Sequence, residues 1–131
     1  MAFGAMPVNG LFPIVCIVGQ VTADTAAPGT VTVPIKCRIH GVQGQAHSLF
    51  GGTSPTDLDL AVKNTTKSET IVTAMAVVDS SALASIATTA ISGTEDLDAG
   101  DEIEIESDIT GGATSPGVNG VAVTLWCSPA A

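Results

Sequence analysis

Apolar residues in this chain recur at every second position and nowhere sustain the 3.6-residue spacing of a helix. In "VAVTLWC" Val121, Val123, Leu125 and Cys127 fall on one side of an extended backbone; in "DEIEIESDI" Ile103, Ile105 and Ile109 do the same, and in "LDLAV" so do Leu58, Leu60 and Val62. A strand turns successive side chains to opposite faces, so this period describes strands with one buried and one wet face. "VTVPIKCRI" alternates Val31, Val33, Ile35, Cys37 and Ile39 with Thr32, Pro34, Lys36 and Arg38, and it reads as one more strand. Pro34 has no N–H for a ladder, which places that strand at an edge or at a bulge. "TIVTAMAVV" is a more continuous apolar run whose β-branched residues favour a strand, and "SSALASIATTAI", residues 80–91, fits either a short helical turn or a strand.

With a further strand inside residues 11–21, the chain holds seven or eight strands punctuated by Gly, Pro, Ser, Asn and Asp turns. The residues between the last two strands, "TGGATSPGVNG", form a long hairpin connection. Strands that are apolar on one face bury it by pairing two sheets, so the expected fold is an all-β single-domain sandwich, with a jelly roll favoured over an immunoglobulin-like arrangement. At 131 residues the chain can bury roughly 65% of its unfolded surface around one core without staples. Residues 13–131 are assigned to that sandwich. Residues 1–12 read as an N-terminal arm, because Gly4, Pro7 and Gly10 break any regular element while Phe3, Met6 and Phe12 offer apolar side chains to a neighbouring surface.

Charge is scarce and lopsided. Thirteen Asp and Glu face four Lys and Arg, a net charge of -9, and eight of the acids lie in "EDLDAGDEIEIESD", residues 95–108. Period two sets Glu102, Glu104, Glu106 and Asp108 opposite the isoleucines, on the wet face of one strand. Such a row is expected to be a solvated face that also repels other strand edges if its own strand is an edge. A calcium site in "EDLDAGD" and a basic partner protein are the alternatives, although the spacing matches no EF-hand. The acidity is a poor match to phosphate backbones, so no nucleic-acid partner is expected. Three Phe, one Trp and no Tyr leave few stacking platforms for sugars. Trp126, on the side of its strand opposite the core residues, is the expected anchor of a subunit interface.

Catalytic chemistry is not expected either, nor any cofactor. His40 and His47 are the only imidazoles, and a triad written from a histidine, Ser48 and Asp57 or Asp59 lacks a nucleophile elbow and an oxyanion-hole signature. Cys16, Cys37 and Cys127 have neither C-x-x-C spacing nor partnered histidines, so they read as buried free thiols, with one disulfide and an odd thiol as the alternative. The apolar "LFPIVCIV" lacks a basic flank and is broken by Pro13, which argues against a secretory signal, and no run reaches the ~20 apolar residues of a membrane helix. A soluble protein made in a cytoplasm is expected, with no membrane partner.

The "LDAGDEIEIESD" strand, its Gly-rich loop and "VAVTLWC" resemble the C-terminal hairpin of the small trimeric jelly-roll decoration, or cement, proteins of tailed-bacteriophage capsids. The resemblance covers residues 94–127 and, more loosely, the β pattern from residue 30. It implies a virion protein on the capsid exterior, a homotrimer that binds the major capsid protein and bridges neighbouring capsomers without catalysis. A host-surface or carbohydrate-binding sandwich of a phage fibre or tail is the alternative.

Overall fold

Strands form where the alternation is cleanest. The computed structural model describes residues 10–21, 25–49, 57–79, 82–83, 87–89, 96–110 and 118–130, and all its regular elements there are strands. In chain order these are β1 (Phe12–Val21), β2 (Thr25–Thr32), β3 (Cys37–Gln45), β4 (Ser48–Leu49), β5 (Asp57–Asn64), β6 (Glu69–Asp79), β7 (Ala82–Leu83), β8 (Ala87–Thr89), β9 (Asp96–Leu97), β10 (Glu102–Thr110) and β11 (Val118–Pro129). One sheet runs β1-β11-β3-β8, with β4 on β11 and β9 on β3; the other runs β2-β10-β5-β6-β7. Every pairing is antiparallel.

The two sheets pack face to face as a β-sandwich around one apolar cluster. Ile14 and Cys16 of β1, Val42 of β3, and Val121, Val123, Leu125 and Cys127 of β11 meet Leu58, Leu60 and Val62 of β5, Ile71, Met75 and Val77 of β6, and Ile103 and Ile105 of β10. Two glycines let the sheets approach. A Cβ at Gly44 would come within 2.6 Å of Met75 Cε and 2.9 Å of Val77 Cγ1, and one at Gly29 within 3.1 Å of Cys16 Sγ. All three thiols are free and buried, as expected. Burial pushes each thiol's pKa up, that of Cys127 to about 12, with Cys37 beside it adding to the rise.

Four expectations are corrected. The last two long strands do not form the expected hairpin: β10 lies between β2 and β5 in one sheet and β11 between β1 and β3 in the other, so residues 94–127 are not the C-terminal hairpin on which the resemblance is drawn. The single strand over Val31–Ile39 is two: β2 ends at Thr32 in one sheet and β3 begins at Cys37 in the other. Pro34 stands in the crossing between them, where no ladder hydrogen bond is required, and Ile35 is exposed rather than turned inward. The helical option for residues 80–91 fails where that segment is described, since β7 and β8 are strands. Phe12 is not part of an arm: it opens β1 opposite Cys127 and packs, partly buried, against the core.

Candidate functional site

At one end of the sandwich three connections, the β2–β3 crossing, the β5–β6 turn and the β9–β10 loop, are tied by one buried carboxylate. Asn64 follows Leu58, Leu60 and Val62 in the inward row of β5, so the last inward position is polar and fully buried. Its Nδ2 donates to Asp101 Oδ2 at 2.8 Å, and its Oδ1 accepts from the Lys67 N–H at 3.2 Å. Asp101 Oδ2 also accepts from the Asp98 N–H at 2.9 Å and lies 3.4 Å from Lys67 Nζ. The Asp101 backbone carbonyl accepts from Val33 N–H at 2.8 Å, and Val33 O accepts from Gly100 N–H at 2.8 Å. Burial alone would raise the Asp101 pKa, but the Asp98 N–H, the Asn64 amide and the Lys67 ammonium hold it below the ordinary carboxylate range.

That network answers the calcium reading of "EDLDAGD". Lys67 Nζ sits 3.0 Å from Asp98 Oδ2 as well as beside Asp101, so the cation between these two carboxylates is the chain's own ammonium. Its pKa is raised, first by the hydrogen bond to Asp98. Among the described residues no group of three or more His, Cys, Asp or Glu is arranged to hold a metal ion.

The predicted acidic row is on β10 as expected, with Ile103 and Ile105 fully buried and Ser107 buried beneath, and Glu102, Glu104, Glu106 and Asp108 outward. Its strand is not an edge: β2 pairs on one side and β5 on the other. The outward row of β5 continues the acidity, with Asp59 opposite Asp108, and Asp57 further along. Lys63, opposite Glu104, donates to Glu106 Oε2 at 2.9 Å. Six carboxylates therefore share this outer face with one ammonium.

The opposite outer face is built from β1, β11 and β3. Pro13, Val15 and Ile17 of β1 lie beside Trp126, Thr124 and Ala122 of β11 in register, and Gln43 and Gln45 of β3 extend the surface. Val15 is 45% and Ile17 71% exposed, the latter the most exposed large apolar side chain among the described residues. Trp126 is half-buried there, and its Nε1 donates to Gln43 Oε1 at 2.7 Å. The indole's one polar atom is thus satisfied inside the chain, leaving apolar ring surface outward. Among the described residues, charge appears on this sheet's outer side only towards one end, where Arg38 pairs with Asp96 at 3.1 Å. A shallow depression of about 580 Å³ lies at that end, lined by Lys36, Arg38, Asp96, Asp98, Ser128, Pro129 and Ala130.

Beside it, His40 Nε2 and Ser128 Oγ are 2.6 Å apart. Both lie on an exposed sheet face. The triad of a histidine, Ser48 and Asp57 or Asp59 is not brought together: Asp57 and Asp59 project from the outer face of the sheet that does not contain Ser48. Phe3 and Met6 lie outside the described residues.

Sequence reasoning missed Val15 and Ile17. The signal was present: "FPIVCIV" is apolar on both parities, and β1 is an edge strand whose outer side no layer among the described residues covers. No helix among the described residues is long and apolar enough to cross a membrane. Comparison with known protein families, with curated proteins and with solved structures gives no match for this chain.

Proposed function

We propose that this protein is a structural component of a virus particle, a decoration protein on the outer surface of a tailed-bacteriophage capsid that works by assembly and not by catalysis. The observation that carries the reading is the segregation of the two outer sheet faces: one carries six carboxylates and one ammonium, whereas the β1–β11 part of the other exposes Val15, Ile17 and the ring of Trp126, with the Arg38–Asp96 pair only towards one end. A protein that acts by contact needs one surface stable in water and one that gains by leaving it. Turned outward, the acidic face keeps a decorated shell soluble; turned inward, it would meet packaged DNA phosphates unfavourably.

The winding of the sandwich is read as a jelly roll. Among the longer strands the chain passes from one sheet to the other at each step except between β5 and β6, and the orders β1-β11-β3-β8 and β2-β10-β5-β6 support two interlocked Greek keys. The working unit is a homotrimer that bridges neighbouring units of the major capsid protein, with Phe3 and Met6 of the N-terminal segment as added contacts. Gradient sedimentation of tailed-phage shells mixed with the purified protein tests this reading. Co-sedimentation that saturates at a fixed ratio of chain to shell protein is expected; shells that sediment bare at saturating protein remove the assignment.

A further inference from the structure

We infer that Cys37 and Cys127 are an oxidative modification site: a peroxide converts this pair, and no other pair of the chain's three thiols, to an intrachain disulfide that staples the start of β3 to the end of β11. The inference stands on the core and is independent of the capsid reading. Cys37 and Cys127 are fully buried members of one apolar cluster, on neighbouring strands of the same sheet. In register Cys127 faces Ile39 and Pro129 faces Cys37, so the two cysteines are diagonal neighbours on the inward side. Their side chains are in hydrogen-bonding contact. A diagonal pair in a flat ladder is wide for a disulfide, but the register shift between Trp126 and Cys127 marks a bulge here, and a bulge increases the local twist that draws one diagonal together.

The sheet itself excludes the other pairings. Cys16 lies opposite Val123, whereas the residue of β1 opposite Cys127 is Phe12. Four residues of strand, about 13 Å along β1, therefore separate Cys16 from the level of Cys127. Cys37 is farther still, because β11 stands between β1 and β3.

Cys37 is the member placed to react first. It is the first residue of β3, its partner Pro129 is the last of β11, and Lys36 and Arg38 on either side of it are exposed, so fraying of this terminal rung admits a small oxidant that the centre of the core does not. Burial raises the pKa of the Cys37 thiol, but its hydrogen bond with Cys127 opposes the rise, while the same contact adds to the rise at Cys127. The Cys37 sulfur attacks one oxygen of hydrogen peroxide; the O–O bond breaks, and the other oxygen leaves as water with the thiol's proton. The Cys127 sulfur then attacks the Cys37 sulfenic acid at sulfur, the S–O bond breaks, and the hydroxyl leaves as a second water with the Cys127 proton. Two electrons and two protons pass from the thiol pair to the peroxide. The loop so closed takes in most of the chain, which restricts the unfolded state strongly.

Exposure of the reduced, folded protein to excess hydrogen peroxide, followed by alkylation in urea and mapping of the non-reduced peptides, tests the inference. Linked Cys37 and Cys127 peptides from a single chain, with Cys16 recovered unlinked, are expected, together with a higher urea midpoint that a reductant reverses. Cys37→Ser and Cys127→Ser are each expected to abolish the link and Cys16→Ala to keep it; the map of the unmodified protein decides the pairing even if a variant fails to fold. Cys37 and Cys127 both recovered unlinked, whether alkylated or further oxidised, overturn the inference, as does a link through Cys16 or between chains. An unchanged urea midpoint in the linked protein overturns its role as a staple.

Discussion

The outer side of β10 and β5 carries Glu102, Glu104, Glu106, Asp108, Asp57 and Asp59, whereas the outer side of β1 and β11 carries Pro13, Val15, Ile17, Thr124 and Trp126. Their inner sides are nearly alike, with Ile103, Ile105, Leu58 and Leu60 in one sheet and Ile14, Cys16, Val123 and Leu125 in the other. The core requirement therefore fixes one parity of each strand and leaves the other to be set by surroundings. An acidic exterior is stable in water and needs no neighbour. An exterior of Val and Ile gains nothing from water, which is why the proposed contact is placed there.

The largest effect expected from a single substitution separates the acids of residues 95–108 into anchor and surface. Asp101→Ala leaves the buried Asn64 amide and the Asp98 N–H without their acceptor and takes from Lys67 the second of its two carboxylates, and should destabilise the fold by about 3 kcal/mol in urea melts. A change under about 1 kcal/mol would place Asp101 with the solvated acids. Asp101→Asn sharpens the point through pH. A carboxylate whose folded pKa lies below its unfolded value of about 4 stabilises the fold above that value, and the stabilisation is lost as pH falls from about 4 through the folded pKa. The unmodified protein should lose more stability than Asp101→Asn over that window. Equal losses would show that Asp101 is not held in its charged form by folding.

Gly44→Ala probes the spacing that keeps the two faces apart. The new Cβ meets Met75 Cε and Val77 Cγ1, and only the methionine end can move aside readily, so a loss of about 1–2 kcal/mol is expected. An unchanged melting temperature would mean that the sheets separate at no penalty. Smaller still is the effect of Glu104→Gln with Glu106→Gln. Glu106 surrenders an exposed ion pair to Lys63 while repulsion along the row is relieved, and stability should move by about 0.5 kcal/mol or less. A loss of particle binding in this variant that tracks ionic strength would show that the acidic face is a docking surface and reverse the roles of the two faces.

Alternation made the core legible before any coordinates: Leu58, Leu60, Val62, Ile103, Ile105 and the inward row of β11 all fall where the period puts them. It failed over Val31–Ile39 because Val31, Val33, Cys37 and Ile39 face one core from two sheets, so the period runs on through a crossing that only Pro34 betrays. The pairing of Asn64 with Asp101, 37 residues apart, is not legible in the sequence, since Asn64 stands in the polar stretch "KNTTKSE" and its burial depends on a distant loop. The acidic row was read correctly as a face but not as a central strand, because strand order is set by long-range pairing that no local pattern encodes. On the candidate contact surface Trp126 was found from its parity. Val15 and Ile17 were passed over because an apolar run is ordinarily taken as core.

Single introduced cysteines test the contrast between the faces most directly. The native thiols are buried and their pKa values raised, so they stay silent towards a bulky maleimide in the folded protein. Ile17→Cys and Glu104→Cys each then report one face, and their labelling rates are compared in the oligomer and on particles. Strong protection at position 17 with rapid labelling at position 104 is the predicted result. Equal rates at the two positions, or protection at 104 with rapid labelling at 17, would contradict the assignment of assembly to the uncharged face.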